Sequence, residues 1–426
     1  MKTELLSQHD PMKIAEGLTK DEPVVYSENG NRKTAASQFL KVVEKDCHKF
    51  GVTRLANISH FSPADFPVFQ STRPNLFGHS KLGQNSGSQG KGVSIEQAKI
   101  SCIMESLESF CFEPRSPVLI RNSFDFLRKS HFVVSPQKFK TQSTIRLPKN
   151  DAQLLWTKAY SVKDCRPVLI PAELAYFPLF VQKYNTESYF FQASNGLASG
   201  SSYLEACIHA IHELIERHYL EFYYRNLREL EIEALLESEF KLPFLNNLAS
   251  VDKDRIDVQV FSLRLNSLGN RNLPTILCNL LIDDIYVSGY GCSSTINISI
   301  SRAVSEALQG HAASSSGSRE DLGCAEKEPR KRALPKFRTL TPSQMGKKVL
   351  DMRFKNLKSE FEFLVNWLKQ AGFPEIFIVN LTRHGIDIPV VKVVVPGLLC
   401  PAGRQTKSVF WPSHYPESLQ YNFEQS

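Results

Sequence analysis

The stretch SNGLASGSSYLEACIHAIHELIER, residues 194–217, decides the fold, because it contains a helix start followed by an unusual polar stripe. Ser202, with a glutamate three residues later, fits a capping box, so a helix is expected to begin there. One side of this helix carries Glu205, His209, Glu213 and Glu216. Arg217 follows directly after the last of these residues. Helical residues at this spacing lie on one face, so the sequence predicts a continuous stripe of acidic groups.

A weak internal repeat relates this stretch to an earlier one. Residues 92–108, GVSIEQAKISCIMESLE, align without gaps on residues 200–216, GSSYLEACIHAIHELIE, and a glycine, a serine, an alanine and two glutamates coincide. The earlier segment starts with its own capping box, Ser94 with Gln97. Residues 301–309, SRAVSEALQ, repeat only the end of the pattern. The repeat predicts pseudosymmetric helices around one centre.

Carboxylates recur at matching positions of the three segments. The set consists of Glu105, Glu108, Glu213, Glu216 and Glu306. Acidic side chains on one stripe repel each other, by roughly a few tenths of a kcal/mol per i, i+4 pair, unless a cation lies among them. Converging carboxylates suit Mg²⁺, and nucleotide phosphates complete its coordination. Arg217 and Arg302 carry the planar guanidinium group that binds phosphate oxygens. Each residue alone also fits a solvated helix face, so the hypothesis depends on the shared spacing.

These segments do not contain either of two standard motifs. The sequence HAIHELIE, residues 209–216, borders on the zinc-protease motif H-E-x-x-H, but its last position is Glu216 instead of histidine. A zinc hydrolase is therefore the less favoured alternative. The glycine-rich residues 87–92 lack the Walker spacing, and no G-x-G-x-x-G unit lies between a strand and a helix. ATP would have to bind without a P-loop.

Composition and charge describe an ordinary folded protein. The 426 residues are 42% hydrophobic and 22% charged, and the net charge of +7 is dispersed apart from the triplet at 330–332. This distribution argues against nucleic acid as a partner. The first residues lack the apolar core of a secretory signal, and the apolar strand ending at Pro396 is interrupted by Lys392, so we expect a cytoplasmic protein without membrane contact. The nine cysteines form no C-x-x-C pair and are expected to be reduced core residues.

The rest of the chain divides into a terminal elaboration and one larger domain. Residues 1–75 carry no catalytic pattern and are expected to elaborate a domain that spans residues 76–426. Residues 314–336 contain too few apolar residues to pack, which predicts a mobile surface loop. Beyond this loop, residues 354–369 have helical periodicity, and residues 376–396 fit two strands joined by a turn.

These motifs resemble the YcaO family. The matching segments are residues 90–108, residues 194–217, Arg302 with Glu306, and residues 380–398. The resemblance spans roughly residues 76–405 and implies a mixed α/β (α+β) fold of the YcaO type. In such a fold, pseudosymmetric helices pack on β-sheets around an ATP site that has no P-loop.

The resemblance also implies a ligand set for ATP and Mg²⁺. The residues implied to bind the nucleotide are Lys91, Ser101, Ser201, Glu205, Arg217 and Arg302, and those implied to bind Mg²⁺ are Glu105, Glu108, Glu213, Glu216 and Glu306. Members of the family transfer the γ-phosphoryl group of ATP to a backbone amide oxygen of a ribosomally made precursor peptide, and the activated amide then gives an azoline or a thioamide. The protein mainly supplies alignment and charge neutralisation, so no catalytic residue is assigned.

Departures from the family pattern bear on the product and the partners. Ser109, Ser201 and His209 stand where the family usually carries arginine, asparagine and glutamine. The chain does not end in the alternating-proline tail of many azoline-forming members, which favours a thioamide or another non-azoline role. The resemblance further implies a homodimer and a TfuA-like or E1-like partner protein. The alternative is a non-catalytic, ATP-binding accessory protein of a modification complex.

Overall fold

The chain folds into two units, and each is built from separate segments of the sequence. Unit 1 consists of Met1–Asp21, Glu108–Glu229 and Lys358–Ser426, and unit 2 consists of Glu22–Leu107 and Leu230–Leu357. The computed structural model describes residues 10–28, 30–74, 86–114, 119–140, 145–235, 256–282, 285–317, 339–340 and 342–399. Both units combine helices with mainly antiparallel sheets, so the mixed α/β class is confirmed. The domain boundary expected near residue 75 stays a prediction.

The helices follow the predicted periodicities closely. Those in the described part of the chain are α1 (Met12–Leu18), α2 (Ala36–Asp46), α3 (Ile95–Phe112), α4 (Phe124–Leu127), α5 (Tyr203–Tyr224), α6 (Ile296–Ser315), α7 (Pro342–Met345) and α8 (Leu357–Gln370). The helix expected over residues 354–369 is α8. Most of the loop expected over residues 314–336 lies outside the described residues, and its first two residues end α6. No helix in the described ranges is both long and apolar enough to span a bilayer.

The described part of the chain also contains the β-strands of several sheets. They are β1 (Val25–Ser27), β2 (Gly30–Arg32), β3 (Arg54–Asn57), β4 (Val68–Arg73), β5 (Ser86–Lys91), β6 (Ile120–Ser123), β7 (Gln153–Ser161), β8 (Arg166–Pro171), β9 (Leu197–Ser199), β10 (Leu230–Leu235), β11 (Ile256–Leu265), β12 (Thr275–Ile282), β13 (Ile285–Cys292), β14 (Thr339–Leu340), β15 (Phe377–Asn380) and β16 (Val390–Val394). All but the last of the glycine-rich residues 87–92 thus lie in a strand, β5.

Unit 1 is organised around a six-stranded sheet. Its order is β6-β7-β15-β16-β9, with β8 paired to β7. β15 and β16 are the two strands expected over residues 376–396, and they pair antiparallel. β9 adds to the other edge of β16, with Lys392 opposite Leu197. Helix α5 packs on β9 and β16 and is buried along most of its length, which places its polar stripe beside the sheet.

Unit 2 contains a five-stranded sheet, β13-β12-β11-β10-β14, a three-stranded sheet, β3-β4-β5, and the hairpin β1-β2. Helix α6 packs on β12 and β13, and its apolar face joins the strands in one core that includes Ile276, Ile300 and Val304. Gly289 and Gly291 on β13 permit this contact. A Cβ atom at Gly289 would lie 2.1 Å from the Ala303 carbonyl oxygen. The helix backbone therefore lies against the strand backbone without an intervening side chain.

The glycine contact gives a testable difference between two substitutions in unit 2. We expect Gly289→Ala to lower the free energy of unfolding by at least ~1–3 kcal/mol, because a rigid backbone atom occupies the space of the new methyl group. Gly310→Ala is the matched control. Gly310 lies inside helix α6, and the nearest atom that its Cβ would meet, on Val287, is 3.8 Å away. We therefore expect this substitution to raise the free energy of unfolding by ~0.4–1 kcal/mol. Urea unfolding measures both changes, and equal effects would contradict the packing argument.

The cysteines match the expectation of reduced core residues only in part. Among the described cysteines none is in a disulfide, and the buried ones are Cys102, Cys111, Cys207, Cys278 and Cys292. Burial raises the pKa of the Cys102 thiol to about 12. The expectation is wrong for Cys165, which is exposed in the turn between β7 and β8 at a left-handed position with φ 50°, and Cys47 is only half-buried. Cys324 and Cys400 lie outside the described residues.

Glu173 is a buried carboxyl group of unit 1, just after β8. Its two carboxylate oxygens accept the backbone N–H of Tyr189 at 3.1 and 3.3 Å. Burial nevertheless raises the pKa of Glu173 from 4.5 to about 7, and the hydrogen bonds from Tyr189 and Phe190 only partly oppose that shift. The folded protein therefore holds this proton more tightly than the unfolded chain does.

The pH dependence of unfolding should carry the effect of Glu173. A carboxyl group with a raised folded-state pKa favours folding fully below its unfolded pKa of 4.5, and this contribution is lost as the pH rises through about 7. We expect Glu173→Gln to gain stability relative to wild type across this window, by up to roughly 3 kcal/mol. Urea unfolding from below pH 4.5 to above pH 7 checks the change. A stability difference between the variant and the wild type that stays constant with pH would contradict the raised pKa of Glu173.

Candidate functional site

Three strand–helix pairs share one local arrangement. In unit 2, β13 leads into α6 and β5 leads into α3. The residues of α3 from Glu108 onward belong to unit 1. In unit 1, β9 leads into α5. Ser94 Oγ and Ser202 Oγ accept the backbone N–H three residues later, both at 3.3 Å, so both expected N-caps are confirmed. Each helix then places a glutamate eleven residues after the capping position: Glu105, Glu213 and Glu306.

The start of the third pair was missed in the sequence. Thr295 is the N-cap of α6, and no hydrogen bond to its side chain caps the helix. The N–H of Ile296 donates instead to Asp351 Oδ1 at 3.0 Å. Thr295 stands where the other pairs have serine, and Ser293 stands where they have Gly92 and Gly200. The spacing of eleven residues between Thr295 and Glu306 is the feature of the sequence that could have revealed this helix start.

A glycine near the end of β5, one near the end of β13 and one directly after β9 each lie against the following helix. A Cβ atom at Gly90 would lie 2.0 Å from the Cys102 nitrogen, one at Gly200 would lie 2.7 Å from the Ala206 nitrogen, and one at Gly291 would lie 2.2 Å from the Ser299 carbonyl oxygen. No other residue fits such contacts, because the neighbouring atoms are backbone. The polar residues of each helix are thereby held next to strand residues.

In unit 2 the strand ends contact the acidic stripe. Glu105 Oε2 accepts the backbone N–H of Gln89 at 3.0 Å. Lys91 Nζ forms an ion pair with Glu306 Oε2 at 3.2 Å, and both side chains are partly exposed. Arg302 Nη1 donates to the Cys292 carbonyl oxygen at 3.0 Å, so the guanidinium lies at the end of β13. Ser101 is half-buried one turn before Glu105.

In unit 1 two carboxylates contact one backbone segment. Glu108 Oε1 accepts the N–H of Ser199 at 2.8 Å and its hydroxyl at 2.6 Å. Glu213 Oε2 accepts the N–H of Gly196 at 3.1 Å. Both acidic side chains are therefore oriented by the segment that precedes helix α5.

Arg217 lies beside the two glutamates of α5. Its Nε is 3.7 Å from Glu213 Oε1 and its Nη2 is 3.9 Å from Glu216 Oε1. Separately, Ser201 Oγ donates to Glu205 Oε2 at 2.6 Å at the start of the helix. Glu205 is thus bonded to a neighbouring hydroxyl and is buried, whereas Arg217 is about one third exposed.

The predicted site residues therefore form separate groups within each unit. In unit 1 these are Glu108, Glu213, Glu216 and Arg217, with Ser201 and Glu205 as a pair; in unit 2 they are Lys91 with Glu306, and Glu105, Ser101 and Arg302 on their own helices. Sequence reasoning missed Gln89 and Ser199 as partners of the glutamates. Ser199 holds the position of Lys91 in the aligned repeat, which was the available signal. The expectation that all the helices surround one centre stays a prediction.

The donor set fits Mg²⁺ bound together with a nucleotide. In the described part of the chain, no three His, Cys, Asp or Glu side chains form a ready metal cluster. Mg²⁺ typically takes one or two protein carboxylates and completes its octahedron with phosphate oxygens and water. Glu108 and Glu213, each fixed by backbone N–H groups, provide carboxylates of that kind.

The surroundings of His212 indicate a structural role and not zinc binding. Its side chain is 1% exposed, and its Nε2 lies 3.9 Å from Oε1 of Glu360 on helix α8. The Glu360 side chain is fully buried. A catalytic zinc site needs ligands that face an open coordination position. His212 instead packs inside unit 1, away from solvent.

Comparison with known families identifies the class of protein. Residues 89–399 match the family described as YcaO cyclodehydratase, ATP- and Mg²⁺-binding, which is well over half of the chain. The chain belongs to the YcaO family. The prediction of ATP and Mg²⁺ as cofactors is thereby confirmed.

Two relatives resemble the chain over most of its length. An uncharacterized protein of Methanothermobacter thermautotrophicus is 26% identical over 378 residues, covering 85% of this chain and 93% of its own. An uncharacterized protein in the tfuA 3' region of Rhizobium leguminosarum bv. trifolii is 23% identical over 393 residues, covering 87% and 89%.

Two solved structures share the fold. YcaO from Methanopyrus kandleri, bound with AMPPCP and Mg²⁺, superposes with a TM-score of 0.70 at 21% identity, covering 88% of this chain and 94% of that one. A heterocyclase in complex with substrate and cofactor superposes with a TM-score of 0.67 at 20% identity, covering 91% of this chain and 56% of that one. The predicted YcaO-type fold is confirmed.

Binding of Mg²⁺ with the nucleotide analogue AMPPCP tests the unit 1 carboxylates. We expect Glu213→Gln to raise the Mg²⁺ concentration needed for half-maximal analogue binding by at least ~10-fold, because the amide keeps the shape but loses the charge. Glu187→Gln is the control, since Glu187 is an exposed glutamate of the same unit and pairs with Arg146. Isothermal titration calorimetry measures both variants. Equal Mg²⁺ dependence in the two would contradict a metal role for Glu213.

Proposed function

We propose that this protein uses ATP and Mg²⁺ to activate a backbone amide of a ribosomally made peptide. ATP supplies the γ-phosphoryl group that turns the amide oxygen into a leaving group. The observation that carries the proposal is the pair Glu108 and Glu213, each oriented by backbone N–H groups of residues 196–199. Two glutamates that are hydrogen-bonded to one short segment are suited to bind a divalent ion. The side chains of a solvated helix face would not be oriented in this way.

The residues of unit 1 would neutralise and align charge. Glu108, Glu213 and Glu216 would hold Mg²⁺, and Arg217, which lies 3.7 Å from Glu213 and 3.9 Å from Glu216, would contact phosphate oxygens. Ser201 and Glu205, bonded to each other at the start of α5, would bind the nucleotide. Such preorganised groups avoid reorganisation during the reaction, which is the main source of electrostatic catalysis.

The predicted site residues of unit 2 would likewise bind ATP and Mg²⁺. Glu105 and Glu306 would be Mg²⁺ ligands, and Lys91 and Arg302 would contact phosphate, with Ser101 a nucleotide contact. The ion pair of Lys91 with Glu306 at 3.2 Å is partly exposed, so a phosphate oxygen could replace the carboxylate at little cost.

The product is proposed to be a thioamide. In this reaction a sulfur nucleophile adds to the activated amide carbon, and phosphate leaves with the original amide oxygen. The relative from Rhizobium leguminosarum is named for its place in the tfuA 3' region, which supports a TfuA-like partner for this chain. The family description as a cyclodehydratase supports the alternative, in which a neighbouring Cys, Ser or Thr side chain attacks, an azoline forms, and an E1-like partner presents the peptide.

The remaining proposals concern assembly. The protein would act as a homodimer in the cytoplasm on a precursor peptide, without nucleic acid or membrane. A second candidate function is a non-catalytic, ATP-binding accessory protein of a modification complex, which would use the same residues to bind the nucleotide without turnover.

Peptide-dependent ADP release tests the proposed reaction. The protein is incubated with ATP, Mg²⁺, sulfide and each short peptide encoded beside its gene. We expect Glu216→Gln to lower kcat at least ~100-fold, since removing one group that stabilises transition-state charge costs that much in comparable sites. Glu187→Gln, at an exposed ion pair, should release ADP at the wild-type rate.

Mass spectrometry of the peptide separates the product classes. Exchange of oxygen for sulfur raises the peptide mass, and cyclodehydration lowers it by one water. Nucleotide binding without ADP release by the wild type would favour the accessory role. Equal turnover by wild type and Glu216→Gln would contradict the assignment of Glu216.

A further inference from the structure

Lys392 is a buried lysine in the middle of strand β16. The other residues of this strand are valines, and all of them are buried. Lys392 is itself only 3% exposed. Its Nζ donates to the carbonyl oxygens of Ala193 at 2.5 Å and Asn195 at 2.6 Å, and lies 5.1 Å from the centre of the Phe112 ring. An amine in this position costs free energy unless it is hydrogen bonded, so the two carbonyls compensate for its burial.

The Asn195 carbonyl lies in the turn that precedes β9, and the Ala193 carbonyl lies directly before that turn. Residues 194–197 form a four-residue turn in which the N–H of Leu197 donates to the Ser194 carbonyl at 2.7 Å. Gly196 occupies the third position with φ 79°, as a type II turn requires. A Cβ there would also lie 2.4 Å from the Val393 carbonyl oxygen of β16. The turn is therefore fixed against β16 by its own backbone and by the lysine.

The same segment orients the carboxylates. The N–H of Gly196 donates to Glu213, and the N–H and hydroxyl of Ser199 donate to Glu108. The segment 193–199 is thus held by Lys392 through its carbonyl groups and holds the glutamates through its N–H groups. A shift of the turn would move both carboxylates, because their hydrogen-bond donors would move with it.

We propose that Lys392 is a positioning residue of the metal site, which sets the segment 193–199 so that Glu108 and Glu213 point correctly for Mg²⁺ and nucleotide. This inference rests on the proposed function of those glutamates. Replacement of a purely structural lysine would change the stability of the protein without changing the Mg²⁺ dependence of nucleotide binding. The two carbonyl contacts give this side chain a directional role that an apolar residue cannot fill.

The test compares Lys392→Met with Lys392→Arg. Methionine fills the space but cannot donate, so we expect the Mg²⁺ concentration for half-maximal AMPPCP binding to rise at least ~10-fold, the effect of removing an outer-shell partner of a metal ligand. Arginine can still donate to both carbonyls and should restore most of the wild-type Mg²⁺ dependence. Calorimetric titration of Mg²⁺ at fixed AMPPCP gives the readout without turnover.

Val391→Ala is the matched control for lost stability. Val391 precedes Lys392 on β16 and points to the opposite face of the sheet, and its truncation leaves a cavity in the core. We expect it to lower the midpoint of urea unfolding while the Mg²⁺ dependence of AMPPCP binding stays that of the wild type. Lys392→Gln, which keeps an N–H donor on a shorter side chain, replaces Lys392→Met if the latter does not fold, and should show an intermediate shift.

The outcomes separate the proposed function from the role of Lys392. If the wild type binds no AMPPCP with Mg²⁺, the proposed function fails and this inference falls with it. If the wild type binds and Lys392→Met, or Lys392→Gln in its place, has the wild-type Mg²⁺ dependence, the inference alone is overturned. It is also overturned if Val391→Ala shifts the Mg²⁺ dependence as much as Lys392→Met does.

Discussion

Direct contact between a strand backbone and a helix backbone is the constraint on which the rest of this structure depends. At Gly90 on β5 and Gly291 on β13, and at Gly200 directly after β9, the neighbouring helix leaves no space for a Cβ atom. The absence of a side chain brings the helix within reach of the strand's own N–H and C=O groups. Polar side chains on the helix can then bond to strand backbone, as Glu105 does with Gln89 and Arg302 with Cys292.

The second constraint is electrostatic. Carboxylates packed beside a sheet lose water and need donors, because an unpaired polar group in such a place is costly. Here the donors are backbone N–H groups of a turn and of the strand that follows it, most clearly at Gly196 and Ser199. The geometry of the acidic groups thus follows from backbone conformation. That is a more rigid support than a second flexible side chain would provide.

The elements with strong local patterns were predictable. The helix α8 and the pair β15–β16 follow from hydrophobic periodicity, and the caps at Ser94 and Ser202 follow from a four-residue motif. The third repeat was recognised only at its end, because Thr295 and Ser293 replace the residues that marked the other two. The role of Lys392 was not recognisable from sequence. It was visible only as an interruption of an apolar strand, since its partners are carbonyl groups almost two hundred residues away.

The sequence by itself determined the family, the pattern of glutamates and the starts of the first two helices, because these depend on residue type and on spacing along a single helix. The tertiary structure decided which atom each glutamate contacts, which cysteines are buried and what lies around Lys392. These facts depend on backbone groups brought together from distant segments. Backbone N–H and C=O groups are the same in every residue except proline, so no pattern of side chains records which of them will meet.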